Sequence, residues 1–157
     1  MNNQKVTVLF VCNKGGHYSQ MLELRPLMAM YDSYVLTEKE NAEADMAGFA
    51  EAMSMDNYNV MNHKLCNFVK SVWRCMRIWR KIKPQYIIST GSAFALPMFI
   101  VGKLFGSKLI YIESRARVYA ASRTGKLISK FCDKLIVQWP EMKDVYGEKA
   151  EYYGILA

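Results

Sequence analysis

The sequence predicts an α/β fold in which a parallel β-sheet is covered by helices on both faces, and two observations carry this prediction. The first is a set of short apolar runs that do not alternate with polar residues: Tyr86-Ile87-Ile88, Leu109-Ile110-Tyr111-Ile112 and Leu135-Ile136-Val137. Strands of this kind are buried on both faces, as in parallel sheets. The second is that helical stretches separate these runs, an alternation typical of a Rossmann-like domain. A chain of 157 residues with 52% hydrophobic content fits one such domain over residues 1–157.

Strands and helices are predicted to alternate along the whole chain. We predict strands at 5–11, 33–37, 86–90, 108–113 and 134–138, with weaker ones near 58–61 and 151–154. We predict helices at 17–30, 65–83, 93–105, 123–132 and 140–146. Three of them are followed by residues that stop helices, namely Pro84, Gly106 and Gly147. Residues 38–56 are acidic and rich in Met and Ala, and we expect a loop with a short helix there.

Composition excludes several classes of protein. Lys103 and Lys108 interrupt the longest apolar stretch, Ala93 to Ile112, so no segment reaches the roughly 20 apolar residues of a membrane span. The polar start of the chain enters a strand at once and is not a signal peptide. The four cysteines have no metal-ligand spacing and are interpreted as reduced thiols. We therefore expect a cytoplasmic chain with no transmembrane helix, and, since it has no Asp-x-Asp pair, no bound metal.

Polar residues follow four of the predicted strands, at the edge of a parallel sheet where ligands bind. The groups at these strand ends are Gly15-Gly16-His17, Thr90-Gly91-Ser92, Glu113-Ser114-Arg115-Ala116-Arg117 and Gln138-Trp139-Pro140. Together they would present glycine-lined helix starts, an imidazole, a carboxylate and two guanidinium groups. That chemistry suits a substrate with a diphosphate and a hydroxyl group that must lose a proton.

Each of these groups also has a purely structural interpretation. Gly91 and Ser92 could form only a turn and a helix cap. Glu113 and Arg117 could form an ion pair, and His17 could simply begin a helix. The convergence of all four groups favours a functional site.

The predicted helix at 65–83 is strongly basic. Residues 64–83 hold seven basic residues and no acidic one, a charge equal to the whole net charge of +7. On a helical wheel its apolar side chains form one arc, which we expect to pack on the core: Leu65, Phe68, Val69, Val72, Trp73, Met76 and Trp79. The opposite face carries Lys70, Arg74, Arg77 and Lys81. With Trp73 at the boundary, these cations predict binding to an anionic membrane surface.

Alternatives exist for the basic helix at 65–83 and for the apolar helix that follows it. Nucleic-acid binding is disfavoured, because the basic stretch coincides with no known nucleic-acid motif. The helix at 93–105 is apolar on nearly every side, and it could lie in the core or touch lipid headgroups.

The chain resembles the Alg-fourteen-like oligosaccharide biosynthesis family over nearly its whole length. The residues that carry the resemblance are Gly15-Gly16-His17 with Met21-Leu22 and Leu24, Thr90-Gly91-Ser92, Pro97, Tyr111-Ile112-Glu113-Ser114 with Arg117-Val118, Gly125-Lys126, Val137-Gln138-Trp139-Pro140 and Tyr153-Gly154-Ile155-Leu156. The resemblance is least clear over residues 38–63. Two departures are the missing amino-terminal membrane anchor of eukaryotic members, which favours the bacterial type, and the missing longer Gly-x-Gly-Gly run.

The resemblance implies the amino-terminal, acceptor-binding half of a GT-B glycosyltransferase related to the MurG type and split into two polypeptides. Bacterial pairs of the PssD/CpsF type build capsule or exopolysaccharide units on a polyprenyl diphosphate. This chain would bind no cofactor, because the partner subunit would bind the UDP-sugar donor. His17 would either contact the acceptor diphosphate or act as the catalytic base, and Glu113 is the rival base. Six residues would hold acceptor phosphate or sugar: Gly15, Gly16, Gly91, Ser92, Ser114 and Arg117.

The resemblance also implies a docking surface for the donor-binding subunit, made of Trp139, Tyr153, Ile155 and Leu156. The alternative is that the last three of these residues only complete the sheet. The sequence stops at Ala157, where a single-chain enzyme would continue, so we expect a heterodimer at the cytoplasmic face of the membrane and little activity from this chain alone.

Two other functions stay open. One is a module that recruits the catalytic partner to the membrane without taking part in the chemistry. The other is a stand-alone nucleotide-binding protein, which the incomplete Gly-x-Gly-x-x-Gly pattern disfavours.

Overall fold

The fold is a seven-stranded, entirely parallel sheet in the order β3-β2-β1-β4-β5-β6-β7. The computed structural model describes residues 5–38, 40, 42–55 and 64–156. Its strands are β1 Thr7–Cys12, β2 Asp32–Thr37, β3 Glu51–Ser54, β4 Tyr86–Ser89, β5 Lys108–Ile112, β6 Lys134–Val137 and β7 Ala150–Tyr152. The predicted fold class is confirmed, and five of the strands lie within two residues of their predicted bounds.

The first three helices cover one face of the sheet. They are α1 Gly16–Leu22, α2 Arg25–Met28 and α3 Ala42–Met46. The prediction of one helix over 17–30 is wrong, because α1 ends at Leu22 and a separate helix, α2, begins at Arg25 with Pro26 in its first turn. Proline lacks the N–H that a continuing helix needs, and it is favoured where a helix begins. The break leaves α1 only two turns long, with His17 in its first turn.

The segment at 38–56 holds more structure than the sequence indicates. The short helix is confirmed as α3, but Glu51–Ser54 form the edge strand β3, paired in parallel with β2. An edge strand has one neighbour and is half exposed, so it lacks the apolar run that marks a buried strand. The weak strand predicted near 58–61 lies outside the described residues.

The other four helices cover the opposite face. They are α4 Lys64–Ile82, α5 Leu96–Leu104, α6 Arg123–Ile128 and α7 Met142–Tyr146. A 3₁₀ turn, Ala93–Ala95, leads into α5. Most of α5 is buried in the core, and Gly102 lies so close to β4 that a Cβ there would overlap Ile87. Of the two alternatives for this helix, the structure therefore favours the core, although Leu104 at its end is exposed.

The apolar arc of α4 divides into two parts, so the expectation that all of it packs on the core is wrong. Cys75 is buried, and Val72, Met76 and Trp79 pack against the core cluster. By contrast Leu65, Val69 and Trp73 are 79%, 60% and 58% exposed. They recur every fourth residue and so form one stripe on the surface of the helix. Within the described ranges, no helix combines the length and apolar character needed to cross a bilayer.

Candidate functional site

The ends of β1, β4 and β5 and the start of α6 surround a pocket of about 660 Å³ at the carboxyl edge of the sheet. Its polar side chains are His17, Ser92, Ser114, Arg117, Ser122, Arg123 and Thr124. The lining, all of it in the described part of the chain, includes two guanidinium groups and no carboxylate. Four of the predicted site residues therefore meet in one place: His17, Ser92, Ser114 and Arg117. The pocket is suited to an anionic ligand.

His17 is held by two hydrogen bonds to Thr90, the residue that follows β4. Its Nδ1 lies 2.9 Å from the backbone oxygen of Thr90, and the Thr90 hydroxyl donates to the backbone oxygen of His17 at 2.8 Å. Because a carbonyl oxygen can only accept, Nδ1 carries the hydrogen, and the lone pair of the neutral ring is at Nε2. The imidazole is thus fixed in the tautomer that can accept a proton at its free nitrogen.

Gly91 and Ser92 shape the turn beside this imidazole. Gly91 has a φ of +111° and leaves the space that the His17 ring fills. Ser92 has a φ of +81°, which is rare for a residue with a side chain, and its hydroxyl accepts from the N–H of Phe94 at 3.2 Å. Ser92 is therefore both the cap of the following 3₁₀ turn and part of the pocket wall. Strained backbone of this kind often lies at functional sites.

Gly15 and Gly16 lie at the start of α1 and are exposed. They are not part of the pocket lining, and a Cβ at either position would meet no atom within 4 Å. Gly15 has a φ of +85°, so the turn itself needs glycine there. Their predicted contact with phosphate stays a prediction.

Glu113 is buried behind the pocket wall, with 1% of its surface exposed. Its Oε1 accepts from the N–H of Ser114 at 2.9 Å. Its Oε2 accepts from the N–H and the hydroxyl of Ser122, at 3.2 and 3.1 Å, and from the Tyr146 hydroxyl. Burial and the Glu113 carboxylate raise the pKa of Tyr146 well above its ordinary value, so this phenol stays a donor. Arg117 is not among these described donors, so the geometry does not support the alternative of an ion pair.

The hydrogen bonds of Glu113 fix both ends of the loop from Ser114 to Ser122. The Ser122 hydroxyl also accepts from Gly125 N–H at 2.8 Å and so caps α6. Within the loop, the N–H of Arg117 donates to the backbone oxygen of Ser114 at 2.9 Å. The carboxylate therefore positions the segment that carries Arg117.

Sequence reasoning did not find the buried side chains of Gln20 and Gln138 beneath the pocket. They are 5% and 1% exposed, and the Nε2 of Gln138 donates to the Oε1 of Gln20 at 2.6 Å. The signal that could have found Gln20 is its polar side chain one helical turn after His17, within an apolar helix face. Gln138 belongs to a motif that was recognised, but its role was not.

The four residues of the predicted docking surface fall into two pairs. Tyr153 and Ile155 are 67% and 41% exposed. Trp139 is half-buried, and its indole donates to the backbone oxygen of Arg115 at 2.7 Å. Leu156 is half-buried and packs against the core under α1 and α2. Only the first pair is exposed at the surface.

The predicted membrane surface of α4 joins cations and exposed apolar side chains. Lys70, Arg74, Arg77 and Lys81 are all exposed. The guanidinium of Arg77 lies 5.0 Å from the centre of the Trp73 ring, and Lys81 Nζ lies 3.9 Å from Glu51 Oε1. Since α4 leads into β4 and the sheet is parallel, the first half of α4 lies toward the carboxyl edge. The exposed stripe is therefore on the same side of the molecule as the pocket.

No cluster of three or more His, Cys, Asp or Glu side chains in the described residues is arranged to hold a metal ion. The buried thiols are far from ionisation, since burial raises the pKa of Cys12 and of Cys75 from 9.0 to about 12. The chemistry available in the pocket is therefore that of one imidazole, two guanidinium groups and several hydroxyl groups.

Solved structures identify the class of this fold. MurG from Acinetobacter baumannii superimposes with a TM-score of 0.79 at 14% identity, over 97% of this chain and 46% of that one. A glycosyltransferase from Rickettsia africae gives a TM-score of 0.71 at 11% identity, over 96% and 43%. The chain thus spans less than half the length of either structure. The fold is that of the amino-terminal, Rossmann-like domain of GT-B glycosyltransferases.

The chain belongs to the family of oligosaccharide biosynthesis proteins like Alg14, whose model matches residues 8–156. The UDP-N-acetylglucosamine transferase subunit ALG14 of Yarrowia lipolytica is 36% identical over 87 residues, which is 52% of this chain and 40% of that protein. The subunit of the same name from Rattus norvegicus is 25% identical over 180 residues, which is 96% and 83%. The predicted family is confirmed.

Proposed function

We propose that this chain is the acceptor-binding subunit of a bipartite, UDP-sugar-dependent hexosyltransferase. The acceptor is a saccharide linked to polyprenyl diphosphate, and the sugar transferred is of the N-acetylglucosamine, galactose, glucose or glucuronate type. The product belongs to polysaccharide or oligosaccharide synthesis, and in this proposal the chain is of the bacterial PssD/CpsF type that makes capsule or exopolysaccharide. The observation that carries the proposal is the pocket in which His17, Arg117 and Arg123 meet without a carboxylate.

The pocket's charges support binding of a diphosphate. Guanidinium groups form paired, charge-assisted hydrogen bonds with phosphate oxygens. Arg117 lies within the loop that Glu113 fixes, and Arg123 directly follows it as the first residue of α6. Ser92 and Ser114 belong to the same lining. Gly91 gives the His17 ring room at the turn. In this proposal Gly15 and Gly16 offer backbone N–H groups to the phosphates.

His17 is the better candidate for the catalytic base. A base must have a free lone pair within reach of the attacking hydroxyl group. Thr90 holds the Nδ1 hydrogen of His17, which leaves Nε2 to accept the proton. The carboxylate oxygens of Glu113 are buried and already accept four hydrogen bonds. We therefore assign Glu113 to positioning of the Arg117 loop.

The donor half of the reaction belongs to a second subunit. Transfer requires the donor carbon and the acceptor hydroxyl to be held in attack geometry, and that proximity supplies much of the rate. In this proposal the partner subunit binds the UDP-sugar and docks on the exposed side chains of Tyr153 and Ile155, near Trp139 and Leu156. This chain alone would then be inactive.

The α4 surface supports recruitment to the cytoplasmic face of a membrane. Each cation near an anionic leaflet contributes about 1 kcal/mol of binding, and exposed apolar side chains add to it. Leu65, Val69 and Trp73 provide the apolar part, next to Lys70 and Arg74. The protein would bind as a peripheral subunit, close to its lipid-linked acceptor.

The test is transfer by the reconstituted pair on vesicles that contain the polyprenyl-diphosphate saccharide. His17→Ala should lower kcat by about 10²-fold or more, the usual contribution of a general base, while the complex stays intact on gel filtration. Arg117→Ala combined with Arg123→Ala should raise KM for the acceptor. Lys130→Ala, which removes an exposed cation just after α6 and outside the pocket, is the matched control. If both pocket variants transfer sugar at the same rate as the Lys130→Ala control, this subunit only recruits its partner.

A further inference from the structure

The buried side chains of Gln20 and Gln138 connect three parts of the molecule, and we call them the glutamine bridge. Gln20 lies in α1, and Gln138 follows β6. Besides its bond to Gln20, Gln138 Nε2 donates to the backbone oxygen of Glu113 at 2.9 Å. The bridge is thus anchored on the residue that fixes the pocket loop.

One end of the glutamine bridge contacts both walls of the pocket. Gln20 Nε2 donates to the backbone oxygen of Gly16 at 3.3 Å and to the Ser114 hydroxyl at 3.5 Å. Gln20 Oε1 accepts from the N–H of Arg115 at 3.0 Å. Gly16 precedes His17, and Arg115 lies two residues before Arg117. The bridge therefore sets the position of His17 relative to the loop that carries Arg117.

The other end of the bridge holds the carboxyl-terminal segment. Gln138 Oε1 accepts from the N–H of Leu156 at 3.0 Å, and Arg115 Nη1 donates to the backbone oxygen of Leu156 at 3.2 Å. Both backbone polar groups of Leu156 are thus bonded to residues that connect to the pocket. If the N–H of Leu156 is lost, the Oε1 atom of Gln138 stays buried without a partner. The free-energy cost of this unpaired atom favours rearrangement of the glutamine bridge.

We propose that Gln20 and Gln138 are positioning residues that couple the segment 153–156 to the pocket. When the segment is bound by the bridge, the loop of Ser114 to Arg117 is held against α1. By thermodynamic reciprocity, a ligand that orders this loop also strengthens attachment of the segment. The proposal rests on the proposed function only for the nature of the ligand, an anion with two phosphates, and for the partner that engages the segment.

Amide hydrogen exchange in the full chain tests the coupling without any ligand. Leu156→Pro and Leu156→Ala both remove the leucine side chain, but only proline removes the N–H. We expect the N–H of Arg115 to exchange about fivefold faster in the proline chain than in the alanine chain, the effect of losing one buried hydrogen bond. In a Gln138→Met background the two chains should exchange at the same rate.

Gln20→Met provides the second test, because it breaks the bridge on the pocket side and leaves the bond between Gln138 and Leu156 intact. There the difference between proline and alanine should become smaller, here read at the N–H of Ser114, which is bonded to Glu113, because only the bond from Gln138 to the backbone oxygen of Glu113 still connects the segment to the loop. Thermal unfolding confirms that each chain is folded. The coupling would be overturned if the proline and alanine chains exchanged at equal rates with both glutamines present. It would also be overturned if their exchange rates still differed with both glutamines replaced.

Titration with inorganic diphosphate connects the coupling to the pocket. The Leu156→Pro chain should bind diphosphate about fivefold more weakly than the Leu156→Ala chain, in line with the same lost hydrogen bond. Equal affinities would mean that the segment does not act on the pocket. If no chain binds diphosphate, the proposed function loses its ligand site, while the exchange rates still decide whether the segment and the loop are coupled.

Discussion

The imidazole of His17 lies directly against the backbone of Gly91. A Cβ atom at position 91 would lie 2.7 Å from Cε1 and 2.8 Å from Nδ1 of the ring, closer than such atoms approach in proteins. The ring is also bonded to Thr90 at 2.9 Å through Nδ1. The turn after β4 therefore determines both the position and the tautomer of the proposed base.

Gly91→Ala should displace the imidazole and break its bond to Thr90. We expect transfer by the reconstituted pair to fall by about 10²-fold, as small displacements of catalytic groups can cause. Gly48→Ala is the matched control, because Gly48 also has a positive φ of +80° but has open space around its Cβ position. Both changes carry backbone strain of about 1–2 kcal/mol, and only the first touches His17. Normal kcat in a folded Gly91→Ala pair would remove His17 from the chemistry.

Gly125→Ala should destabilise the pocket wall. A Cβ there would overlap Tyr146 and the Glu113 carboxylate and would lie 2.8 Å from the Ser122 hydroxyl. We expect a loss of about 1–3 kcal/mol in the free energy of unfolding, measured with urea, as is usual for overpacking. Gly16→Ala should cost nothing, because that helix position is open and alanine is the better helix former. Equal stability of the two variants would show that the Glu113 cluster does not hold the loop.

The buried thiols predict how stability changes at high pH. Burial raises the pKa of Cys12 and Cys75 from 9.0 to about 12 in the folded chain. Below pH 9 the folded and the unfolded chain both keep these protons, so the stabilising contribution of the two thiols is fully present there. Between pH 9 and 12 only the unfolded chain releases them, so the free energy of unfolding should fall by about 1.4 kcal/mol per pH unit for each thiol.

Urea unfolding at pH 8 and pH 10 measures this effect, and Cys75→Ala should reduce the slope of stability against pH. Iodoacetamide at pH 8 should modify the exposed Cys66 and leave Cys12 and Cys75 unmodified until the chain unfolds. Rapid labelling of Cys75 in the folded protein would contradict the assigned burial.

Charge reversal on α4 should weaken membrane binding. Lys70→Glu combined with Arg74→Glu should lower the affinity for vesicles with anionic lipid by at least about tenfold, given about 1 kcal/mol for each cation removed. Lys126→Glu combined with Lys130→Glu makes the same change of charge on α6 and the turn that follows it, and vesicle binding should change less. In the native chain, anionic vesicles should protect Cys66 of α4 from alkylation. Equal losses from both double variants would show that only net charge matters.

The buried strands could be predicted because their apolar runs are local. β4, β5 and β6 each lie within one or two residues of the predicted bounds. β3 could not be found in the same way, since an edge strand is half exposed and its sequence, Glu51–Ser54, has no apolar run. The division of the α4 arc also escaped prediction, because a helical wheel does not tell how much of an apolar arc the sheet can cover.

The residues around the pocket could be predicted in type but not in role. Strand ends placed His17, Ser92, Ser114 and Arg117 correctly at one edge. Glu113 lies at the same edge, yet its carboxylate is turned into the protein by partners 9 and 33 residues later in the chain. Such long-range hydrogen bonds have no local signature. The same reason hides Gln20, whose partner Gln138 lies 118 residues away.

The exposed stripe on α4 has a consequence for how far the acceptor must travel. From Leu65 to Trp73 the stripe covers about 12 Å of helix, at 1.5 Å per residue. In the proposed function, a chain lying on the bilayer by this stripe keeps its cationic pocket near the level of the headgroups. The isoprenoid tail could then remain among its neighbouring lipids throughout the reaction, and the protein would need no apolar tunnel to extract it.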